Sequence, residues 1–245
     1  MKNNRYRLLG IGLIIAGVVF APVAYIIINS IPLTAIALSS TMIGFTSFAL
    51  ATTRPRISPE VSQMIFETGM ENIASLLEEL GINNKAIYLQ SAMRTGNAQA
   101  LIPLSGDIDI QRTKEKIPKK LIVRYGDNPD DIGIVVTAPG GTGLNNLEIN
   151  PGPTLSDIEQ TLTYVLTGLL DIAKSVSVHL SEKQLHIEVI GPKLFYENSR
   201  YNRCIGSPIA SIVATIASDG LGKPIRIKEE SYQKGVSNIQ LEVLV

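Results

Sequence analysis

The stretch LLGIGLIIAGVVFAPVAYIIINSIPLTAIALSSTMIGFTSFALATT, residues 8–53, contains no charged side chain. A membrane-spanning helix needs about 20 predominantly apolar residues, and residues 8–28 and 31–51 each supply that length. The two runs are separated by an Asn-Ser pair that a proline soon follows, which is typical of a tight turn between helices. The sequence therefore predicts a transmembrane helical hairpin in residues 1–53 and a second domain in residues 54–245.

Basic residues border the apolar run on both sides. Lys2, Arg5 and Arg7 precede it, and Arg54 and Arg56 follow it. Because cytoplasmic flanks carry an excess of lysine and arginine, both termini and the second domain are predicted to be cytoplasmic. A secretory signal, with an apolar core of about 7–15 residues, is too short to explain the run. We expect a multi-pass protein of the cell membrane, with the lipid bilayer as its first partner.

Small residues recur at four-residue spacing within the hairpin. Gly12 and Ala16 lie in the first span, and Ser40 and Gly44 lie in the second. Such pairs let two membrane helices approach closely, so they are interpreted as the packing seam of the hairpin. Contact with a second copy is the alternative. Neither span contains an ionisable residue, which disfavours a pump or a carrier.

Composition excludes several classes of protein. The 22 basic and 22 acidic side chains balance, whereas a general nucleic-acid binder is strongly basic. Nucleic acid is therefore not an expected partner. Cys204 is the only cysteine, so an internal disulfide framework is excluded.

Residues 54–245 alternate between helical and strand patterns. Three helices are predicted, and their boundary residues are Ser58 and Gly81, Ser156 with Glu159 as a capping box, and Ser207 with Gly220 after the end. Strand pairs are predicted at residues 85–90 and 98–104, 120–125 and 132–138, 175–180 and 184–190, and 223–228 and 238–245. Helices thus lead repeatedly into strand hairpins. The predicted fold class is α+β, with antiparallel sheet covered on one face by helices.

A glycine-rich loop follows the strand that begins near Ile134. Gly140, Gly141 and Gly143 resemble a phosphate-binding loop in spacing, but no Lys-Ser/Thr pair follows and no helix begins directly after them. Nucleotide binding is therefore disfavoured. The loop is interpreted as a mobile surface loop or one that covers a ligand.

Both histidines fall in one predicted hairpin. Pairing the apolar positions of the two strands sets His179 opposite His186 and Ser177 opposite Glu188. His179, His186 and Glu188 are thus candidate metal ligands. The alternative is a solvated or partner-facing polar surface, because alternation alone places polar side chains there.

The segment FYENSRYNRC, residues 195–204, is rich in aromatic and basic side chains. Its candidates for contact with a ligand or a partner are Tyr196, Arg200, Tyr201 and Arg203. A loop that packs its aromatics on the core is the alternative. Nothing near Cys204 would activate a thiolate, so a buried thiol is expected. The basic run of residues 112–120 fits either anionic lipid headgroups or a solvated linker.

The arrangement of two short-looped spans, then ENIASLLEELGINNKAIYL, ALIPL, TAPG and GSPIASIVATIASDGLGKPIRIKEE, resembles a family of uncharacterised archaeal membrane proteins. The C-terminal part, residues 204–244, is similar to the closing helix and hairpin of 4-vinyl-reductase-type small-molecule-binding domains. Those domains usually carry paired cysteines in the hairpin, where this chain has Ser231, Tyr232, Asn238 and Ile239.

No residue pattern specifies a reaction, so we expect a binding or scaffold module, not an enzyme, with no cofactor. Its partner would be another protein or a second copy of the chain. A ligand sensor for a small molecule is the alternative, with the two loops bordering a pocket. A metal-dependent enzyme built on His179 and His186 is the third hypothesis.

Overall fold

The computed structural model of the protein describes residues 5–53, 59–97, 99–104, 106, 108, 113, 116–140, 149–181, 184–194 and 199–244. Two compact units are found, residues 1–65 and residues 66–245. Helix α3 covers Pro59–Glu79.

The first unit contains the predicted helical hairpin. Helix α1, Arg5–Pro22, continues through a π-helical turn, Val23–Ile27, and helix α2 covers Ile31–Thr53. The π turn begins directly after the proline, whose missing N–H interrupts the α-helical hydrogen-bond ladder. Residues 7–27 and 31–51 have mean hydropathies of 2.4 and 1.6, apolar enough to cross a membrane. The prediction of two candidate membrane helices is confirmed.

The packing seam of the hairpin differs from the predicted one. Gly12 has nothing within 4 Å of the position its Cβ would take, and Ala16 is exposed. Gly44 does lie in the seam, whereas the Ser40 hydroxyl donates to Ile36 O of its own helix at 2.9 Å. The buried positions of the hairpin are Gly10, Gly17, Ala24, Ala37 and Gly44. Within each span they recur every seven residues, the period that keeps one seam between two coiled helices, so the four-residue spacing predicts the wrong seam.

The second unit contains one sheet of eight antiparallel strands. Their order is β3-β4-β2-β1-β7-β8-β6-β5, so the two strands of each hairpin, β1–β2, β3–β4, β5–β6 and β7–β8, lie side by side. The strands are β1 Ile87–Tyr88, β2 Gln99–Pro103, β3 Ile122–Arg124, β4 Ile132–Thr137, β5 Ser175–Ser181, β6 Gln184–Ile190, β7 Ile225–Gln233 and β8 Val236–Val243. The α+β class and the antiparallel sheet are confirmed.

Helices cover one face of this sheet. They are α3, α4 (Leu155–Thr163, continued by a π-helical segment Tyr164–Leu169), α5 (Ser199–Cys204) and α6 (Pro208–Leu221). Their apolar side chains form one core with the strands beneath them. The segment 200–221 is also long and apolar enough to cross a membrane, but 89% of it is buried inside the protein. Helix α6 is therefore the central core helix.

The other face of strands β1 to β4 is also buried, which alternation did not predict. All five residues of β2 are buried. Leu101, Val123 and Val135 belong to a second apolar cluster, which includes Ile117 from the connection before β3. Ile117 and the partly buried Met93, Ile108 and Leu244 thus pack against this second face.

Two predicted helix boundaries are corrected. Helix α4 is capped by Thr154, whose hydroxyl accepts from Asp157 N at 3.1 Å, so the capping box is not Ser156 with Glu159. Gly220 lies inside α6, and Gly222, at φ +60°, ends the helix. The predicted cap at Ser207 is confirmed, since its side chain accepts from Ala210 N.

Candidate functional site

A cleft of the second unit lies between β7 and the start of α6. It has a volume of about 390 Å³ and is lined by Lys85, Asn202, Arg203, Cys204, Gly206, Ser207, Ile227, Lys228, Glu229, Glu230 and Tyr232. A β-bulge between Ile227 and Glu229 interrupts the pairing of β7 with β8. The Lys85 ammonium group donates to the carbonyl of Lys228 at this bulge. The irregular strand therefore forms one wall of the cleft.

The start of α6 forms the opposite wall of the cleft. The backbone N–H of Ser207 at this helix start already has a hydrogen-bond acceptor within the protein. Gly206 has φ +92°, and a Cβ there would lie 2.5 Å from Ile227 Cδ1, so only glycine fits this entry to the helix. The Glu230 carboxylate accepts from Ser207 N at 2.9 Å. Because an acidic side chain holds the position an external anion would take, this helix end is not a phosphate site.

One buried side chain that lines the cleft and one core side chain stay protonated at neutral pH. The Cys204 thiol of the lining donates to Ile82 O at 3.6 Å, and burial raises its pKa. The Tyr88 hydroxyl in the core donates to Ile205 O at 2.6 Å, and burial raises the pKa of that phenol too. A protonated thiol and phenol are poor nucleophiles, so these two groups do not suggest a reaction.

The predicted residues of the 195–204 segment separate into different environments. Arg203 is exposed and lines the cleft. Arg200 donates through Nη1 to Asn83 Oδ1 at 2.6 Å, and Tyr201 is a core residue at 4% exposure. Tyr196 lies outside the described residues. Of the described candidates here, Arg203 is the one that reaches the cleft.

The glycine loop is described only at its first glycine. A Cβ on Gly140 would lie 2.9 Å from Ile212 Cα and 3.0 Å from Thr215 Cβ, both in the middle of α6. Because glycine has no side chain, the backbone that follows β4 can pack closely on that helix. Gly141 and Gly143 lie outside the described residues.

The predicted register of the histidine hairpin is confirmed. His179 pairs with His186, and Ser177 pairs with Glu188. These side chains lie on the sheet face opposite the helices, beside a shallow pocket of about 270 Å³ that includes Asn238. In the described part of the chain, no group of three or more His, Cys, Asp or Glu side chains is placed to share a metal ion. The described structure therefore offers a histidine pair with no third ligand of these types.

Residues 1–242 match a protein family described as "Domain of unknown function (DUF7982)". The chain belongs to the DUF7982 family. Neither a curated protein nor a solved structure matches it.

One buried ion pair of this DUF7982 chain was not anticipated from the sequence. Arg94 binds Asp219 through two hydrogen bonds of 2.6 and 2.8 Å and also donates to Leu89 O at 2.8 Å. The two side chains are 5% and 11% exposed. The pair ties the β1–β2 connection to α6 and borders a polar pocket of about 210 Å³. Asp219 lies in the last turn of the apolar helix α6, where the helix dipole disfavours an acidic side chain. This unusual placement is the sequence feature that could have indicated the ion pair.

Proposed function

We propose that this chain is a membrane-anchored binding module and is not itself an enzyme. The hairpin crosses the cell membrane, and the basic residues at its two borders keep both termini and the α+β unit in the cytoplasm. The unit holds a small molecule in the cleft between β7 and α6. The C-terminal likeness to small-molecule-binding domains and the archaeal origin suggested by the sequence belong to the same proposal.

The observation that carries the proposal is the cleft itself. Its volume of about 390 Å³ falls within the range of about 300–1,000 Å³ typical of ligand pockets. Ile227 and Tyr232 supply apolar surface, and charged side chains of both signs surround it. Such a mixture of apolar surface and a few polar groups is how proteins fix the orientation of small ligands.

The charges in the cleft favour a ligand with an acidic group. Lys85, Arg203 and Lys228 face Glu229 and Glu230, and Glu230 is engaged at the start of α6. Arginine matches carboxylate and phosphate oxygens in a bidentate geometry. The ligand therefore carries an anionic end beside Arg203 and Lys228 and an apolar part beside Tyr232.

Mass spectrometry of molecules that co-purify with the full-length protein from native membranes tests this proposal. The double variant Arg203→Glu, Lys228→Glu reverses two charges of the cleft, and Lys223→Glu reverses an exposed charge outside it. We expect one small molecule to be retained by the wild type and by Lys223→Glu and to be lost from the double variant. Equal retention of the small molecule by all three proteins, or no retained small molecule in the wild type, would contradict the proposal.

A scaffold that binds another protein is the second candidate function. Tyr164, Leu169 and Leu170, at the π-helical end of α4, are 58%, 39% and 43% exposed, and such apolar clusters favour protein contacts. A photoreactive amino acid at position 164 would capture that partner in native membranes. If another protein or a second copy is crosslinked and no small molecule is retained, the scaffold function would replace small-molecule binding as the proposed function.

The third hypothesis is a metal-dependent enzyme at His179 and His186. Metal analysis of the purified full-length protein separates it from the other two. A stoichiometric metal that His179→Ala removes would support the third hypothesis and count against a module without a cofactor.

A further inference from the structure

A basic and apolar surface lies at the β3 edge of the sheet. Residues 116–124, KIPKKLIVR, contain four basic residues and no acidic one. Leu121 and Ile122 are 56% and 63% exposed, and Lys116, Lys119 and Lys120 are exposed beside them. These five residues are called the β3 edge surface.

The fold holds this surface in place. Ile117 is fully buried, and its N–H donates to Met93 O at 2.9 Å. Leu121 O accepts from Val135 N at 2.8 Å, and Val123 is 4% exposed. Buried residues on both sides therefore fix Leu121 and Ile122 at the edge.

Protection of the sheet edge explains only part of this composition. Lysine, proline and short length keep an edge strand from pairing with another sheet, and β3 has only three residues. Leu121 and Ile122, two consecutive exposed aliphatic side chains, do not protect the edge, because exposed apolar side chains favour association. An apolar groove of about 390 Å³ beside Leu121, lined in part by Leu76 and Leu77 of α3, extends the apolar area.

The other edge of the same sheet provides a contrast. Strand β5, Ser175–Ser181, exposes Leu180 to 56% but contains no lysine or arginine. The Glu159 carboxylate accepts from Val178 N at 3.2 Å on this strand. At β5 the exposed leucine is thus accompanied by an acidic side chain. At the β3 edge the exposed leucine is accompanied by lysines.

We propose that the β3 edge surface binds the surface of an anionic bilayer, an inference that rests on the membrane anchoring in the proposed function. Lys116, Lys119 and Lys120 contact acidic headgroups, which attract basic residues close to a membrane. Leu121 and Ile122 reach the boundary between headgroups and acyl chains. An edge strand presents unpaired backbone groups, which hydrocarbon would leave unsatisfied. Contact is therefore confined to the hydrated interface.

Nitroxide labels on the full-length protein in lipid nanodiscs test this inference. One label is placed at Ile122→Cys, a matched label at Leu180→Cys, and a third at Val18→Cys in the hairpin. Cys204 is buried, so these labels dominate the signal. Accessibility to oxygen and to a water-soluble nickel chelate is measured in phosphatidylcholine discs and in discs that also contain phosphatidylglycerol.

We expect the label at position 122 to lie at interface depth in the anionic discs and in water in the neutral discs. Lys119→Glu combined with Lys120→Glu should lower the equilibrium constant for lipid contact about twenty-five-fold or more, since each lysine contributes about fivefold. The label at position 180 should stay in water throughout. A label at position 122 that stays in water in anionic discs would overturn the inference. Equal depth of this label in both kinds of disc would also overturn it, because that result indicates an apolar occupant other than acidic lipid. The label at position 18 tests the anchoring separately, because a hairpin outside lipid would show that label in water.

Discussion

Single buried polar side chains connect the sheet of this protein to its central helix. The Tyr88 hydroxyl reaches Ile205 O, while Ser218 Oγ of α6 donates to Tyr88 O at 3.0 Å. At the next residue of the same helix, Asp219 binds Arg94. Because each buried donor finds an acceptor in a different element, these bonds fix how α6 lies on the strands.

Tyr88 gives a prediction about pH. Burial raises the pKa of this phenol in the folded protein above its usual value of about 10. Unfolding lets the phenol ionise, so the free energy of unfolding falls as the pH rises above about 10. In Tyr88→Phe the Ile205 carbonyl loses its partner, which costs about 1–3 kcal/mol at neutral pH. The fall above pH about 10 becomes shallower in that variant.

Urea denaturation of the full-length protein in detergent, followed by circular dichroism, measures both effects. Tyr164→Phe is the control, because this side chain is 58% exposed and should change stability by less than about 0.5 kcal/mol. An identical pH dependence in wild type and Tyr88→Phe would contradict the role given to this residue.

At the scale of elements, Gly220 determines how closely α6 approaches α4. A Cβ on Gly220 would lie 2.9 Å from Gly152 O and 3.0 Å from Ile158 Cγ1. We expect Gly220→Ala to destabilise the second unit by about 1–3 kcal/mol through overpacking. Gly69→Ala in α3 is the matched control, since nothing lies within 4 Å of its Cβ position. There alanine should stabilise the helix by about 0.5–1 kcal/mol, and equal effects at both sites would refute the packing argument.

The hairpin gives a second prediction at this scale. A Cβ on Gly17 would lie 2.6 Å from Ala37 O, whereas Gly12 faces open space. Gly17→Leu should therefore separate α1 from α2, and Gly12→Leu should leave them together. Pulsed electron spin resonance between labels at Val18 and Leu38, both on exposed faces, measures the separation. No change in Gly17→Leu would show that the seam lies elsewhere.

The sequence predicted elements and local registers well and their boundaries less well. Strict alternation of apolar residues set His179 opposite His186, because one buried face allows only one register. Thr154 and Ser156 are both good caps, and the choice of Thr154 depends on Asp157, which reaches back to Thr154 N at 3.2 Å. The sequence predicts a helix end before Gly220, because glycine commonly follows the last turn of a helix. Its actual role, contact with α4, is set by tertiary packing.

At the scale of the whole molecule, the cleft could not be predicted because its walls are distant in sequence. Lys85 precedes β1, Arg203 precedes α6, and Lys228 sits at a bulge of β7. The sheet order places β1 beside β7 and thereby brings these residues together. Local patterns gave the strands but not this order, which depends on how the hairpins join. Arg203 was therefore identified by composition alone, and its neighbours in the cleft were not.

We propose that two apolar helices cross the membrane and leave the α+β unit in the cytoplasm. Labelling of intact cells with a membrane-impermeant maleimide tests this topology, with Ser30→Cys at the tip of the hairpin and Lys223→Cys after α6. Cys204 is buried and should stay unlabelled. We expect position 30 to react from outside and position 223 to react only after the cells are permeabilised. Labelling of position 223 from outside, with position 30 protected, would show the opposite topology and refute the proposal.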